Sequence, residues 1–234
     1  MRSRQFLAAC ALLGVCGLIG SRAHADLYTN GFNERIFNGV PYNAQEDIEG
    51  FRNATLGPSD AEGILTTHLN YPDDSSVSAR AAALGAVGFD DGDFSMLWVT
   101  DFTPDESGCW GFRLSSVDDV VSFWVDYDRN GVFTLSDRFY YRGSIGGSGD
   151  QSTASLTAGT TYKFGIVMSD TGGDGWLQDM DVKSPTGSWR DLNPSDPDLD
   201  GLFLATTVPE PATLTLLGTG ALGFLGYLRR RRNK

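Results

Sequence analysis

From Phe94 onward the chain alternates large apolar residues with polar or small ones, and this two-residue rhythm constrains its fold more than any other feature. Trp110, Phe112 and Leu114 fall on one side of an extended segment. Val121, Phe123 and Val125 do the same in the next, and Tyr162, Phe164, Ile166 and Met168 in a later one. Successive side chains of a strand point to opposite faces, so each run offers one apolar face for burial. Phe94 to Thr100, Phe139 to Arg142 and Ser152 to Leu156 read as further short strands bounded by turn residues. With no convincing amphipathic helix among them, the expected fold class is all-β, an antiparallel sandwich or barrel. Upstream, Asp26 to Asp93 is punctuated by Gly or Pro every few residues and predicts short strands and loops, with one helix-prone piece at Ser78 to Leu84. Asn193 to Asp200, rich in Pro and Asp, reads as the exit from the domain.

The two ends are address rather than fold. Met1 to Ala25 reads as a secretory signal, with Arg2 and Arg4, an apolar core from Phe6 to Ile19, and Ala23, His24, Ala25 as the cleavage site. At the other end, Val208, Pro209, Glu210 and Pro211 precede 17 uncharged residues, Ala212 to Leu228, and then Arg229, Arg230, Arg231 and Arg232. As a helix the apolar run is roughly 26 Å long, the short limit of a bilayer span. The arginines are a membrane stop that holds their end in the cytoplasm and leaves the body outside. This order of tripeptide, apolar helix and basic end resembles the PEP-CTERM sorting signal of exopolysaccharide-producing Gram-negative bacteria. The resemblance implies cleavage at the tripeptide by an exosortase-type membrane peptidase. It further implies an inner-membrane anchor before processing, then a place at the cell surface or in the extracellular matrix. The expected organisation is therefore signal peptide 1–25, a secreted β-rich domain 26–205 best defined over 94–182, and the sorting segment 206–234.

Charge and rare residues narrow the function. Residues 26–208 hold 10 Lys and Arg against 29 Asp and Glu, a net charge of −19. That sign excludes nucleic acid as a partner and suits a protein that binds cations. Cys10 and Cys16 leave with the signal, so Cys109 is alone and no internal disulfide forms. Its place between Gly108 and Trp110 predicts a half-buried structural thiol. His68 is the one histidine left, too few for a multi-histidine zinc site. No spacing of carboxylates singles out a catalytic pair. No catalytic residue is assigned, and a non-enzymatic role is expected.

Asp126, Tyr127, Asp128, Arg129, Asn130, Gly131 and, five residues on, Asp137 form the densest acidic constellation. Numbered as a twelve-residue calcium loop, it puts oxygen side chains at Asp126, Asp128, Asn130 and Asp137, with the Val132 carbonyl at position 7. It resembles EF-hand and dockerin-type loops, with Asp in place of Glu at the last position. The alternative is a plain hairpin turn in which Asn130-Gly131 supplies positive φ.

A second group is Asp118 and Asp119. Thr103, Pro104, Gly108, Phe112, Leu114, Ser116, Asp118, Asp119, Trp124 and Asp126 occur in the order found in the protective-antigen-type lectin domain of flocculin adhesins, and Leu156, Ala158, Gly159 and Tyr162 match a later strand pair of that family. The likeness covers about Phe94 to Val182, with Val117 and Val120 as departures. It implies that Asp118 and Asp119 coordinate calcium in contact with sugar hydroxyls. Asp170, Thr171, Gly172, Gly173, Asp174, Gly175 and Trp176 make another acidic loop, in which Trp176 could stack on a sugar. Three readings stand: a calcium-binding, non-enzymatic surface or matrix protein; a calcium-dependent carbohydrate-binding adhesin module with extracellular polysaccharide as its partner; and a glycan hydrolase.

Overall fold

The computed structural model describes residues 27–39, 47–53, 59–90, 92–143, 150–173 and 175–207. Among the described residues fourteen strands make three antiparallel sheets. They are β1 (Leu27–Asn30), β2 (Phe32–Asn38), β3 (Ala61–Leu65), β4 (Asp93–Phe102), β5 (Gly108–Leu114), β6 (Ser116–Asp118) and β7 (Val120–Val125), followed by β8 (Arg138–Gly143), β9 (Asp150–Leu156), β10 (Tyr162–Thr171), β11 (Trp176–Gln178), β12 (Asp181–Lys183), β13 (Arg190–Asp191) and β14 (Phe203–Thr207). The large sheet runs β1-β14-β4-β10-β7-β8. One edge of β4 is shared, because β14 pairs with its Asp101–Phe102 end and β2 with Phe94–Val99. β3 pairs outside β2. The second layer is β13-β12-β5-β9, and β11 with β6 forms a separate two-stranded ribbon.

The alternating faces meet between the layers. Phe112 of β5 stacks on Phe164 of β10 with ring centroids 4.8 Å apart, and Trp110 meets Phe102 edge-on at 5.1 Å. Each pair joins one sheet to the other, which makes the fold a sandwich rather than a barrel. Val121, Phe123, Val125, Ile166 and Met168 lie in the same buried cluster. The residues between them serve the opposite face. Trp124, Val167 and Leu97 join Phe37, Ile48, Phe51 and Phe133 in a second cluster, under the one-turn helix Ile48–Arg52 and the loop after β7. Gly165 makes this cover possible, since a Cβ there would lie 2.5 Å from Ile48 Cδ1 and 3.1 Å from Phe133 Cζ.

Four expectations change. The helix covers Asp74–Ala83, because Asp73 and Ser76 form a capping box that starts it four residues early. Asn193–Asp200 does not lead out of the domain: it turns through the 3-10 segment Pro197–Leu199, and β14 re-enters the large sheet with Phe203 stacked on Phe102 at 4.5 Å. Cys109 is exposed rather than half-buried, since strand alternation that buries Trp110 turns it outward. The positive φ angles of the turn after β7 fall on Arg129 and Gly131, not on Asn130. The signal peptide and Ala212–Leu228 lie outside the described residues, and among the described ones no helix is long and apolar enough to cross a membrane. Thr29–Thr206 forms one compact unit.

A carboxylate triad beside an acidic cleft

Alternation along β6 sends Val117 into the core, fully buried, and leaves Ser116 and Asp118 on the other side. Val117 and Val120, the two departures from the lectin pattern, are both fully buried core residues. β11 crosses β6 with Trp176 opposite Asp118, and the Trp176 Nε1–H donates to Ser116 Oγ at 3.0 Å. The Asp118–Asp119 peptide is cis. Asp119 Oδ2 accepts from the Thr171 N–H at 3.1 Å and from its hydroxyl at 2.8 Å, which ties the start of β7 to the end of β10. Asp170, the residue before Thr171 on β10, is 2% exposed, and its Oδ2 receives no hydrogen bond. Gly175 lets this corner close: a Cβ there would sit 2.8 Å from Asp170 Cβ and 2.7 Å from the Phe94 ring.

Asp118, Asp119 and Asp170 thus bring one oxygen each within 4.8 Å of one another. Burial, then the charges of Asp119, Asp118 and Asp74, push the Asp170 carboxyl up to about 7. A buried oxygen with no donor among like charges is costly by itself. The donor set is all oxygen, which suits a hard divalent cation such as calcium.

Asp74 heads the helix Asp74–Ala83, whose first turn forms the wall of a cleft of about 660 Å³ with Trp176 and Gln178. Trp176 is half-buried and presents part of its indole there. The helix is anchored from below. Arg80 Nε donates to the buried Glu34 at 2.6 Å, and Glu34 also accepts from Trp98 Nε1 at 2.8 Å and from the Tyr71 hydroxyl. Burial, and the Glu34 carboxylate beside it, push the Tyr71 phenol up.

The Asp126–Asp137 loop is arranged differently. Asp126 Oδ1 and Oδ2 accept from the N–H groups of Asn130 at 3.2 Å and Gly131 at 2.7 Å. Asp137 Oδ2 accepts from the N–H of Thr134 at 2.8 Å and its hydroxyl at 2.7 Å. Asp128 and Asn130 bond each other, and Val132 N donates to Asn130 Oδ1 at 2.7 Å. Burial and the nearby Asp128 push the Asp126 carboxyl up, against the Gly131 N–H. Among the described residues the carboxylates of this loop do not gather as the triad does. The other close group, His68, Asp181 and Asp191, has Asp181 held by Arg113 at 2.7 Å.

Asp170 is the residue that sequence reasoning left out of the metal set, and Asp74 is a neighbouring charge that it did not place there. Asp170 was legible as the head of the Gly-rich stretch before Trp176, whereas nothing in the sequence placed Asp74 nearby.

The last described strand ends at Thr207, and the PEP-CTERM protein-sorting motif matches residues 207–232. The chain carries a PEP-CTERM sorting motif. That motif implies export and association with the cell surface. Among curated proteins none matches the chain. Solved structures do resemble it. A PA14 sugar-binding domain from an RTX adhesin is 15% identical, with a TM-score of 0.52 over 70% of this chain and 94% of that one. The PA14 domain of the antifreeze protein MpAFP is 15% identical, with a TM-score of 0.52 over 81% and 97%. The epithelial adhesin 9 A domain of Candida glabrata, in complex with Galβ1-4GlcNAc, is 11% identical, with a TM-score of 0.52 over 81% and 95%. The body joined to the PEP-CTERM motif has a PA14-type fold.

Proposed function

We propose that this is an exported, non-enzymatic surface protein that binds carbohydrate through a calcium ion held by Asp118, Asp119 and Asp170. The observation that carries the reading is the buried Asp170 carboxylate, whose Oδ2 has no donor and which brings one oxygen within 4.8 Å of an oxygen from each of two further carboxylates. A divalent cation satisfies all three at once and offers open coordination positions to sugar hydroxyls. The cleft next to the triad supplies the rest of a sugar site, with the Trp176 face for stacking and Gln178 and serine hydroxyls for hydrogen bonds. The shared fold with a PA14 sugar-binding domain and a lectin-type adhesin domain supports the class. After cleavage by an exosortase-type peptidase the protein resides at the cell surface or in the matrix, with extracellular polysaccharide as its partner.

The Asp126–Asp137 loop is the second place for calcium, and stoichiometry separates the two. Calorimetric titration of residues 26–207 is expected to show one ion per chain, lost in Asp119→Ala and Asp170→Asn and kept in Asp128→Ala. Glycan-array binding should then vanish in chelator. Loss of the ion in Asp128→Ala alone would move it to the loop and leave sugar binding unsupported. Turnover of polysaccharide in chelator would favour the hydrolase.

A further inference from the structure

We propose that the cleft beside the triad selects glycans with free ammonium groups, that is, unacylated hexosamine residues, and turns away uronate-bearing chains. The inference rests on the cation-dependent sugar reading above and names its substrate class. Among the described residues the cleft is lined by Pro72, Asp73, Asp74, Ser75, Ser78, Trp176 and Gln178, none of them Lys, Arg or His. Calcium on the triad leaves that corner at −1, and Asp73 and Asp74 bring the site to −3. A uronate entering it meets three net negative charges with no cationic side chain to receive it.

A helix N-terminus favours anions, and the cleft contains one. Here the terminus already holds its anion. Asp73 Oδ1 accepts the Ser76 N–H at 2.8 Å and the Ser75 hydroxyl at 2.7 Å. These bonds hold the Asp73 carboxyl below the usual carboxylate range, so it stays charged at neutral pH. Both bonds fall on Oδ1, and Oδ2 accepts neither. An ammonium brings three donors to acceptors of this kind, and charge-assisted hydrogen bonds are about twice as strong as neutral ones. The Trp176 ring adds a surface that attracts cations through its π face as well as sugar C–H groups. The volume of about 660 Å³ accommodates several sugar units rather than one cation. The body's charge of −19 adds long-range steering of a polycationic chain.

The test is calorimetry at pH 7 in calcium on residues 26–207, with a glucosamine tetramer, its fully N-acetylated form, tetragalacturonate and tetralysine. The glucosamine tetramer should bind about tenfold tighter than the acetylated form. Tetragalacturonate should give no heat. The advantage of the free amine should disappear in Asp73→Asn/Asp74→Asn, while calcium and the acetylated tetramer still bind that variant. Equal affinity for the amine and acetylated forms overturns this inference and leaves calcium-dependent sugar binding standing. Tetralysine binding as tight as the glucosamine tetramer, or an amine preference that survives chelation, shows a generic acidic surface and also overturns it. No sugar bound in calcium, on this panel or on a neutral glycan array, removes both readings together.

Discussion

Burial and the carboxylates of Asp119, Asp118 and Asp74 hold the Asp170 pKa at about 7, against an ordinary value of 3.8 in the unfolded chain. The folded, ion-free protein therefore binds this proton more tightly than the unfolded chain does. Its stability is greatest below the unfolded value and falls as pH rises from about 4 to about 7. In chelator the melting temperature of the wild type is expected to drop between pH 5 and pH 8, and Asp170→Asn should flatten that drop. Calcium should reverse it by stabilising the ionised form, by about 2.7 kcal/mol at 100 times its dissociation constant. An unchanged slope in Asp170→Asn would place the pH dependence elsewhere. Glu34 makes a second residue-scale case, because its side chain is fully buried and Arg80, Trp98 and Tyr71 all donate to it. Glu34→Ala leaves Arg80 without its charge partner and should cost about 3–5 kcal/mol in denaturant unfolding. A loss under 1 kcal/mol would show that the node is not what holds the helix. At this scale the sequence showed part of the site. Asp118 and Asp119 stood out by motif order and Trp176 by its place after the acidic Gly-rich stretch, and strand alternation accounts for the burial of Val117 between Ser116 and Asp118. Asp74 was not readable, because its closeness to Asp170 arises only when the helix packs against the far end of the sheet.

The strands were visible because β5, β7 and β10 each carry large apolar residues at every second position of their core face, even though β7 is buried along its whole length and β10 along most of it. The opposite face of the large sheet was harder to see. Leu97, Trp124 and Val167 are as buried as the core residues, yet their cover comes from the five-residue helix Ile48–Arg52 and from Phe133, neither of which repeats often enough to leave a periodic signal. That cover also fixes the Asp126–Asp137 loop from outside. Arg52 donates to the Gly131 carbonyl at 2.9 Å, Glu49 accepts the Phe133 N–H at 2.8 Å, and the Arg52 guanidinium lies 5.3 Å from the Phe133 ring centre. Phe133→Ala should cost about 3 kcal/mol. Gly165→Ala, which drives a Cβ into Ile48, should cost about 1–3 kcal/mol. Both changes should leave calcium affinity at the triad unaltered, since they act on the other face of the sheet. A parallel loss of calcium binding would mean that the loop holds the ion.

For the whole molecule, the question is whether fold and address are separable. The compact unit closes at Thr206, and the sorting motif spans 207–232. The last residues to secure the unit are those of β14, where Phe203 stacks on Phe102 and Leu204 pairs with Asp101, while Leu202 O accepts the Thr103 N–H at 2.9 Å. Cleavage at Val208 to Pro211 removes none of them. A chain ended at residue 207 should therefore melt at the same temperature as the longer one and bind calcium and sugar equally. A chain ended at residue 202 loses Phe203 and the strand that shares the edge of β4, and should be destabilised by about 3–5 kcal/mol. The address should fail independently. Replacing Pro209-Glu210-Pro211 by three alanines should leave an uncut protein in the inner-membrane fraction, with the body still folded and its calcium-dependent melting shift intact. Mass measurement of the membrane and surface fractions reads the outcome directly. Continued cleavage of the triple-alanine chain would sink the sorting role of the tripeptide, and an uncut chain that no longer binds calcium would show that fold and address are coupled after all.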